Sequence, residues 1–223
     1  MKHAYESYGF IFDLDGVIVD TAILHYRSWR RLANSLRFDF TTLQNESLKG
    51  VSRMESLDII LGWGGITKST QEKQELAALK NSWYQDEVAG LKPEDALPGA
   101  ITFLAHCRQL GIKIGLGSAS KNAHAVLEKL GVIEMFDTII DGNSISRSKP
   151  DPEVFILASE NLKIPPGQCA VFEDAAVGIE AANRGKMTSI GIGSAMNLPH
   201  AELVYEGLNE ADISHVIRCI DKV

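Results

Sequence analysis

The sequence predicts an α/β protein with a doubly wound, Rossmann-like parallel-sheet core and an inserted small helical module. Three observations predict this class. An apolar run near the start ends in acidic residues, the next long stretch is helical, and from Leu97 onward helices alternate with short β-prone runs. With 223 residues, 45% hydrophobic and 23% charged, the chain has the composition of a globular protein that buries a core.

The first predicted element is a buried parallel strand over residues 9–14. This apolar run leads into a loop that contains Asp15 and Gly16. Three helices are predicted next, at residues 21–36, 53–61 and 70–88, with polar or Gly-rich breaks between them. The predicted division assigns residues 1–17 and 95–223 to the core and residues 18–94 to the inserted helical domain.

The remainder of the chain alternates helix and strand. After Leu97-Pro98-Gly99, strands are predicted at residues 113–117, 138–140, 170–172 and 187–192, with helices between them that end near Leu110, Leu130, Leu162 and Arg184. Ligands of doubly wound sheets bind beyond the carboxyl ends of the strands. The polar residues at those ends are therefore the predicted site.

Six polar side chains stand at these strand ends: Asp13, Asp15, Ser118, Lys149, Glu173 and Asp174. Any one of them alone could be a solvated loop residue, because loops are polar, but the set together indicates a site. Mg²⁺ prefers hard oxygen ligands, which Asp13 and Asp174 offer. A carboxylate can also attack phosphorus when a metal ion and cations offset the repulsion between anions. We predict Asp13 as a nucleophile that becomes an aspartyl phosphate.

The other strand-end groups suit the same phosphoryl transfer. Lys149 supplies a cation, and Ser118 would donate a hydrogen bond to a phosphoryl oxygen. Asp15 is predicted to protonate the leaving oxygen in one half-reaction and to deprotonate the attacking hydroxyl in the next. Asp151 and Pro152 are residues typical of a helix start and would anchor the lysine's loop. The Lys149–Pro150 peptide bond is expected to be trans.

Composition and charge argue against several other classes. A net charge of −7 offers little attraction to nucleic acid. The chain start lacks the apolar segment of a signal peptide and no apolar run is long enough for a membrane span, so a cytoplasmic protein without membrane contact is expected. Three widely spaced cysteines predict neither disulfides nor a zinc site. The Asp13 loop is a poor calcium loop, and Gly115 to Ser120 lacks the third glycine of a dinucleotide-binding motif.

The constellation resembles the haloacid dehalogenase-like phosphotransferase superfamily. The matching motifs are Asp13-Leu14-Asp15-Gly16-Val17, Ser118, Lys149 and Glu173-Asp174, and the helical insertion matches the superfamily's cap domain. The resemblance implies that Asp13 is the nucleophile and Asp15 the acid and base. It also implies a Mg²⁺ ion held by Asp13, Asp174 and the backbone carbonyl of Asp15, with Glu173 positioning a water ligand, and a phosphate site at Ser118, Ala119 and Lys149.

Within the superfamily, the cap residues are similar to those of the β-phosphoglucomutase family. That family interconverts β-glucose 1-phosphate and glucose 6-phosphate through glucose 1,6-bisphosphate. The resemblance implies that Arg53, Ser120 and Asn122 hold the phosphate that is not transferred, while His25 and Lys80 serve the sugar and the closed cap. Thr21 is expected to hydrogen-bond Asp15 when the cap closes. The implied substrate-binding set is Thr21, His25, Lys49, Gly50, Val51, Arg53, Ser56, Lys80, Ser120 and Asn122.

Two alternatives remain open from the sequence. The core motifs also permit a magnesium-dependent sugar-phosphate phosphatase, in which water accepts the phosphoryl group. A catalytically silent protein on the same fold is disfavoured, because it need not retain Asp13, Asp15, Lys149 and Asp174 together. The expected partner is a small phosphosugar, with glucose 1,6-bisphosphate as the priming intermediate, and the expected state is a monomer.

Overall fold

The computed structural model describes residues 5–48 and 51–222. Its centre is a six-stranded parallel sheet in the order β3-β2-β1-β4-β5-β6. The strands are β1 (Gly9–Phe12), β2 (Lys113–Gly117), β3 (Thr138–Ile140), β4 (Cys169–Glu173), β5 (Thr188–Ile192) and β6 (Leu203–Tyr205). Phe10 pairs with Ile114 on one side and with Ala170 on the other, so β1 is an inner strand. The predicted α/β class with a doubly wound parallel sheet is confirmed.

Nine α-helices accompany the sheet in the described ranges. They are α1 (Ala22–Ser35), α2 (Thr42–Glu46), α3 (Arg53–Trp63), α4 (Thr70–Val88), α5 (Ala100–Leu110), α6 (Ala123–Leu130), α7 (Glu153–Leu162), α8 (Ala176–Arg184) and α9 (Ile213–Ile220). Short 3₁₀ segments occur at Pro93–Asp95, Ile133–Met135 and Pro166–Gln168. Across residues 5–48 and 51–222, no helix has the length and apolar character needed to cross a membrane.

Alternation along β1 divides its side chains between two apolar clusters. Phe10 and Phe12 join the cluster that contains Phe103 of α5, and the Phe12 ring stacks on Phe172 at a centroid distance of 4.6 Å. Ile11 points into the opposite cluster, which contains residues of α7 and α8. Because both faces of β1 are buried, its sequence is continuously apolar. The strand's carboxyl end, and with it Asp13, is thereby fixed in the middle of the sheet.

The four helices between β1 and α5 form the inserted region and have an apolar cluster of their own. Its buried members include Trp29 of α1, Phe40 of the segment before α2, and Ile60 of α3. Capping boxes mark the start of three of these helices, with Thr41 and Gln44 at α2, Ser52 and Glu55 at α3, and Ser69 and Glu72 at α4. The boundaries at residues 17/18 and 94/95 stay a prediction.

The structure differs from the sequence-based elements at a few points. β1 ends at Phe12 rather than at residue 14, and α2, β6 and α9 were not predicted. Glu173 is the last residue of β4 instead of following the strand. The Lys149–Pro150 peptide bond is cis, so the expectation of a trans bond is wrong.

Candidate active site

A buried lysine joins two carboxylates at the carboxyl ends of β1 and β4. Lys149 Nζ donates to Asp13 Oδ1 and to Glu173 Oε1, both at 2.6 Å. The side chains of Lys149 and Glu173 are 1% exposed and that of Asp13 is 10% exposed. Burial alone would lower the pKa of Lys149, but the two carboxylates outweigh burial and raise that pKa. The predicted cation therefore stands beside the predicted nucleophile.

Three carboxylates form a cluster that suits a divalent cation. Asp13, Glu173 and Asp174 each offer one ligand oxygen, and these atoms lie within 4.8 Å of one another. Hard carboxylate oxygens are the ligands that Mg²⁺ takes in proteins. Burial raises the pKa of Glu173, and the ammonium of Lys149 opposes that shift. The donor set therefore fits the metal site that the sequence predicts at these residues.

Two glycines make room for this cluster. A Cβ on Gly16, whose φ is +80°, would overlap the Asp174 carboxylate, and a Cβ on Gly178 would overlap the carboxylate of Glu173. The amide of Ala175 also donates to Glu173 Oε2 at 2.7 Å, which orients that carboxylate. The loop after β1 and the start of α8 therefore approach these carboxylates closely because they carry Gly16 and Gly178.

Asp15 is hydrogen-bonded to Thr21 and is not one of the three carboxylates of the cluster. The Thr21 hydroxyl donates a short hydrogen bond to Asp15 Oδ1, so the predicted contact between these two residues is present. Burial and the negative charge of Asp13 raise the pKa of Asp15 to about 7, against the opposing effect of Thr21. A carboxyl group with such a pKa can both give and take a proton near neutral pH. The role of its backbone carbonyl toward a metal stays a prediction.

His25 and the buried Lys80 form a partly buried basic pair on the inserted helices. Lys80 Nζ lies 2.8 Å from His25 Nδ1 and 4.5 Å from the centroid of Trp29. Burial, together with the neighbouring cations, holds the pKa of Lys80 and of His25 well below their ordinary values. An anionic ligand would offset this repulsion and stabilise the charged form of Lys80.

Inserted helices and core together line one cavity of about 110 Å³. The inserted region contributes His25, Val51, Arg53, Ser56 and Lys80, and the core contributes Asp13, Asp15, Ser118, Ala119, Ser120, Asn122, Glu173 and Asp174. Burial lowers the pKa of Arg53, which lies partly buried in the wall. The cavity therefore brings a second cationic group to the same space as the carboxylate cluster.

Two predicted site residues do not line the cavity, and two others are not described. Thr21 and Lys149 lie behind the cavity wall, where they contact Asp15 and Asp13. Lys49 and Gly50 lie outside the described residues.

The loop after β2 is preorganised to offer donors to a ligand. The Ser118 amide donates to the Ile140 carbonyl at 3.0 Å, which ties the loop to β3. Ser118 Oγ accepts from the Ser120 amide at 3.1 Å, and Ser120 Oγ accepts from the Asn122 amide at 3.3 Å. Since Ser118 Oγ already accepts here, its own proton can be donated into the cavity. This arrangement suits the predicted contact with a phosphoryl oxygen.

Sequence reasoning missed several residues of the cavity wall. Trp29, Asn45 and Leu48 line it as well. Trp29 is four positions after His25 in α1, so it lies on the same helix face and could have been found by that spacing. Asn45 belongs to the five-residue helix α2. Its Nδ2 donates to the Ala22 carbonyl, a contact between segments that are distant in sequence. That contact has no local sequence signal.

Comparison with known proteins gives the class of this chain. A protein-family model described as haloacid dehalogenase-like hydrolase matches residues 9–186. The chain therefore belongs to the haloacid dehalogenase-like hydrolase family.

Individual relatives narrow this class. The chain is 44% identical over 196 residues to β-phosphoglucomutase from Bacillus subtilis, with 87% of each chain covered. The crystal structure of β-phosphoglucomutase from Clostridium difficile matches with a TM-score of 0.93 and 42% identity, covering 96% of this chain and 97% of the other. The resemblance to the β-phosphoglucomutase family is confirmed. A fructose-1-phosphate phosphatase from Escherichia coli is 30% identical over 191 residues, covering 84% of this chain and 98% of the relative.

Proposed function

We propose that this protein interconverts β-D-glucose 1-phosphate and D-glucose 6-phosphate through an aspartyl phosphate at Asp13 and glucose 1,6-bisphosphate. The observation that carries the proposal is the shared cavity. Asp13 and Asp15 line it together with Arg53, Ser120 and Asn122, a second set of groups that would suit a phosphate. The similarity to β-phosphoglucomutases supports the assignment.

In the first half-reaction, an Asp13 carboxylate oxygen attacks one phosphorus of bound glucose 1,6-bisphosphate. The new bond joins phosphorus to Asp13, and the bond between phosphorus and the sugar oxygen breaks. Asp15 gives its proton to that leaving oxygen, a transfer that its raised pKa favours near neutral pH. Lys149, 2.6 Å from Asp13, offsets the charge of the nucleophile and of the group it accepts.

The second half-reaction runs the same chemistry in reverse toward a sugar hydroxyl. Asp15, now a carboxylate, removes the proton of the hydroxyl, whose oxygen attacks the phosphorus and releases Asp13. When the acceptor is glucose 1-phosphate, this step forms glucose 1,6-bisphosphate, which must turn around in the cavity before Asp13 attacks its other phosphorus and releases glucose 6-phosphate. The Arg53 guanidinium, with its bidentate geometry, would hold whichever phosphate is not reacting.

Asp13, Asp174 and the backbone carbonyl of Asp15 would hold the Mg²⁺ ion, and Glu173 would position a water ligand. When bound, this cation supplies positive charge that stabilises the transferring phosphoryl group. The carboxylates themselves orient the site, because the contacts of Glu173 to Lys149 and to the Ala175 amide fix their positions.

The acceptor distinguishes this proposal from the alternative. In a phosphatase water takes the phosphoryl group, and a phosphatase is among the relatives. The mutase reaction is favoured by the two basic groups His25 and Lys80, which stand in the same cavity as the nucleophile and suit an anionic second phosphate or sugar oxygens. Binding energy from that part of the ligand can close the cap and exclude water.

Phosphorus NMR tests the proposal directly. The protein is incubated with Mg²⁺, β-glucose 1-phosphate and a trace of glucose 1,6-bisphosphate. Formation of glucose 6-phosphate is expected, dependent on the bisphosphate, whereas steady release of inorganic phosphate without glucose 6-phosphate would establish the phosphatase. The Asp13→Asn variant is the control and should form neither product. A cytoplasmic location and a monomeric state stay predictions.

A further inference from the structure

A fork of two side chains on α4 holds the amide of Asn122. Asn122 Nδ2 donates to Asn81 Oδ1 at 2.9 Å, and Gln85 Nε2 donates to Asn122 Oδ1 at 3.4 Å. Asn81 and Gln85 are four positions apart and therefore lie on one face of α4. Asn122 is 8% exposed. Both the Nδ2 and the Oδ1 atom of its buried side-chain amide therefore have a hydrogen-bond partner on α4.

We propose that Asn81 and Gln85 are positioning residues that act through Asn122 to couple the phosphate-binding loop after β2 to the cap helix α4, and so limit loss of the phosphoryl group to water. This inference rests on the proposed mutase function. It adds two residues that touch neither the nucleophile nor the carboxylate cluster.

The residues on both sides of these hydrogen bonds are connected to the cavity. On the core side, the backbone N–H of Asn122 donates to Ser120 Oγ, and the backbone N–H of Ser120 donates to Ser118 Oγ. On the cap side, Asn81 directly follows Lys80, whose ammonium lines the cavity. A ligand that orders the loop therefore positions the backbone of Asn122, and the side-chain amide of Asn122 in turn orients α4, which carries Lys80.

The geometry makes the fork sensitive to cap position. The two hydrogen bonds need opposite ends of one amide, so they hold together only when α4 lies against the start of α6 in one orientation. Movement of α4 away from Asn122 breaks both bonds while the apolar cluster of the inserted helices stays intact. The fork thus favours the closed arrangement without adding stability to the cap itself.

Opening exposes the aspartyl phosphate to water. A water oxygen then attacks phosphorus, the bond from phosphorus to Asp13 breaks, the water proton passes to Asp15, and inorganic phosphate leaves. Loss of one fork hydrogen bond is expected to raise this hydrolysis relative to transfer by roughly two- to tenfold. Phosphorylation of Asp13 by acetyl phosphate, a donor too small to need the fork, should stay unchanged.

The test compares Gln85→Ala with Gln71→Ala. Gln71 is an exposed glutamine on the same helix that bonds only to Glu75 among the contacts described for it, so its replacement matches the chemistry without touching the fork. The measurements are inorganic phosphate released per glucose 6-phosphate formed, KM for the bisphosphate, and the thermal midpoint. Gln85→Ala should raise the phosphate ratio two- to tenfold and raise KM, whereas Gln71→Ala should match the unmodified protein.

A second pair of variants separates positioning from mere packing. Asn81→Leu removes the acceptor and should raise the phosphate ratio, while Asn81→Asp keeps an acceptor oxygen for Asn122 Nδ2 and should restore a low ratio. An unchanged ratio in both Gln85→Ala and Asn81→Leu would overturn the coupling, as would a lower turnover with the ratio constant. Failure of the unmodified protein to form glucose 6-phosphate would instead overturn the mutase function.

Discussion

Replacing Lys149 by methionine should destabilise the metal-free protein by about 3–5 kcal/mol. Its Nζ lies 2.6 Å from one oxygen of Asp13 and 2.6 Å from one oxygen of Glu173. At an effective dielectric constant of about 20, each contact is worth about 6 kcal/mol of gross attraction. Desolvation of the buried charges offsets most of that attraction. Without the ammonium, however, two buried carboxylates face each other uncompensated.

Urea unfolding at pH 8 with EDTA present measures this loss from the transition midpoint and slope. The matched control is Lys113→Met, because Lys113 Nζ lies 3.5 Å from Asp137 Oδ1 and its side chain is 47% exposed. That surface pair should contribute less than about 1 kcal/mol. Added Mg²⁺ should recover part of the loss in Lys149→Met, since a divalent cation that binds the folded carboxylates stabilises the folded state.

The reasoning about Lys149 would be refuted by a loss in Lys149→Met no larger than that in Lys113→Met. A double variant sharpens the comparison. Adding Glu173→Gln to Lys149→Met should cost less than the same change in the unmodified protein, because the carboxylate no longer has a cation to lose. Equal costs in both backgrounds would show that the lysine and the glutamate are not energetically coupled.

Three further predictions follow from the site. Gly178→Ala should lower mutase turnover at least tenfold, because its Cβ would overlap the Glu173 carboxylate, whereas Gly167→Ala, whose Cβ meets nothing, should have no effect in the same assay. Burial holds the pKa of His25 well below its ordinary 6.5, so on acidification this histidine is protonated in the unfolded chain before it is protonated in the folded protein. Between pH 6.5 and 5.5, the free energy of unfolding measured in urea should therefore fall by about 1 kcal/mol more than that of His25→Asn. Arg53→Ala should reduce mutase turnover far more than phosphorylation of Asp13 by acetyl phosphate, and equal losses would contradict its role at the second phosphate.

The core of the site could be predicted because local sequence patterns place it. β1 is a short apolar run, so hydrophobicity locates its end to within two residues and places Asp13 near that end. The same holds for Ser118 after β2, whose strand was predicted with the observed bounds. Parallel topology then brings these ends to one edge of the sheet without any knowledge of side-chain contacts.

Other features depend on contacts between distant segments and have no such pattern. β6 is a three-residue, half-buried edge strand, too short to show an alternation of polar and apolar residues. Asn122 could be assigned to the phosphate-binding loop by resemblance, but its fork with Asn81 and Gln85 appears only once α4 packs near α6. By contrast, α9 has buried residues at Ile213, Val216, Ile217 and Ile220, a helical spacing that the sequence does display.

The position of Asp13, the proposed nucleophile, at the end of an inner strand has a consequence for how such proteins diversify. Adjacent strands lie about 4.8 Å apart, and the ligand oxygens of Asp13, Glu173 and Asp174 fall within 4.8 Å of one another on the neighbours β1 and β4 and the loop that follows. The spacing of neighbouring strands therefore sets the separation of the proposed nucleophile from the proposed metal ligands. Changes in the inserted helices do not alter this spacing, so a new phosphoryl acceptor or a new sugar can be accommodated there without change to the groups that transfer the phosphoryl group.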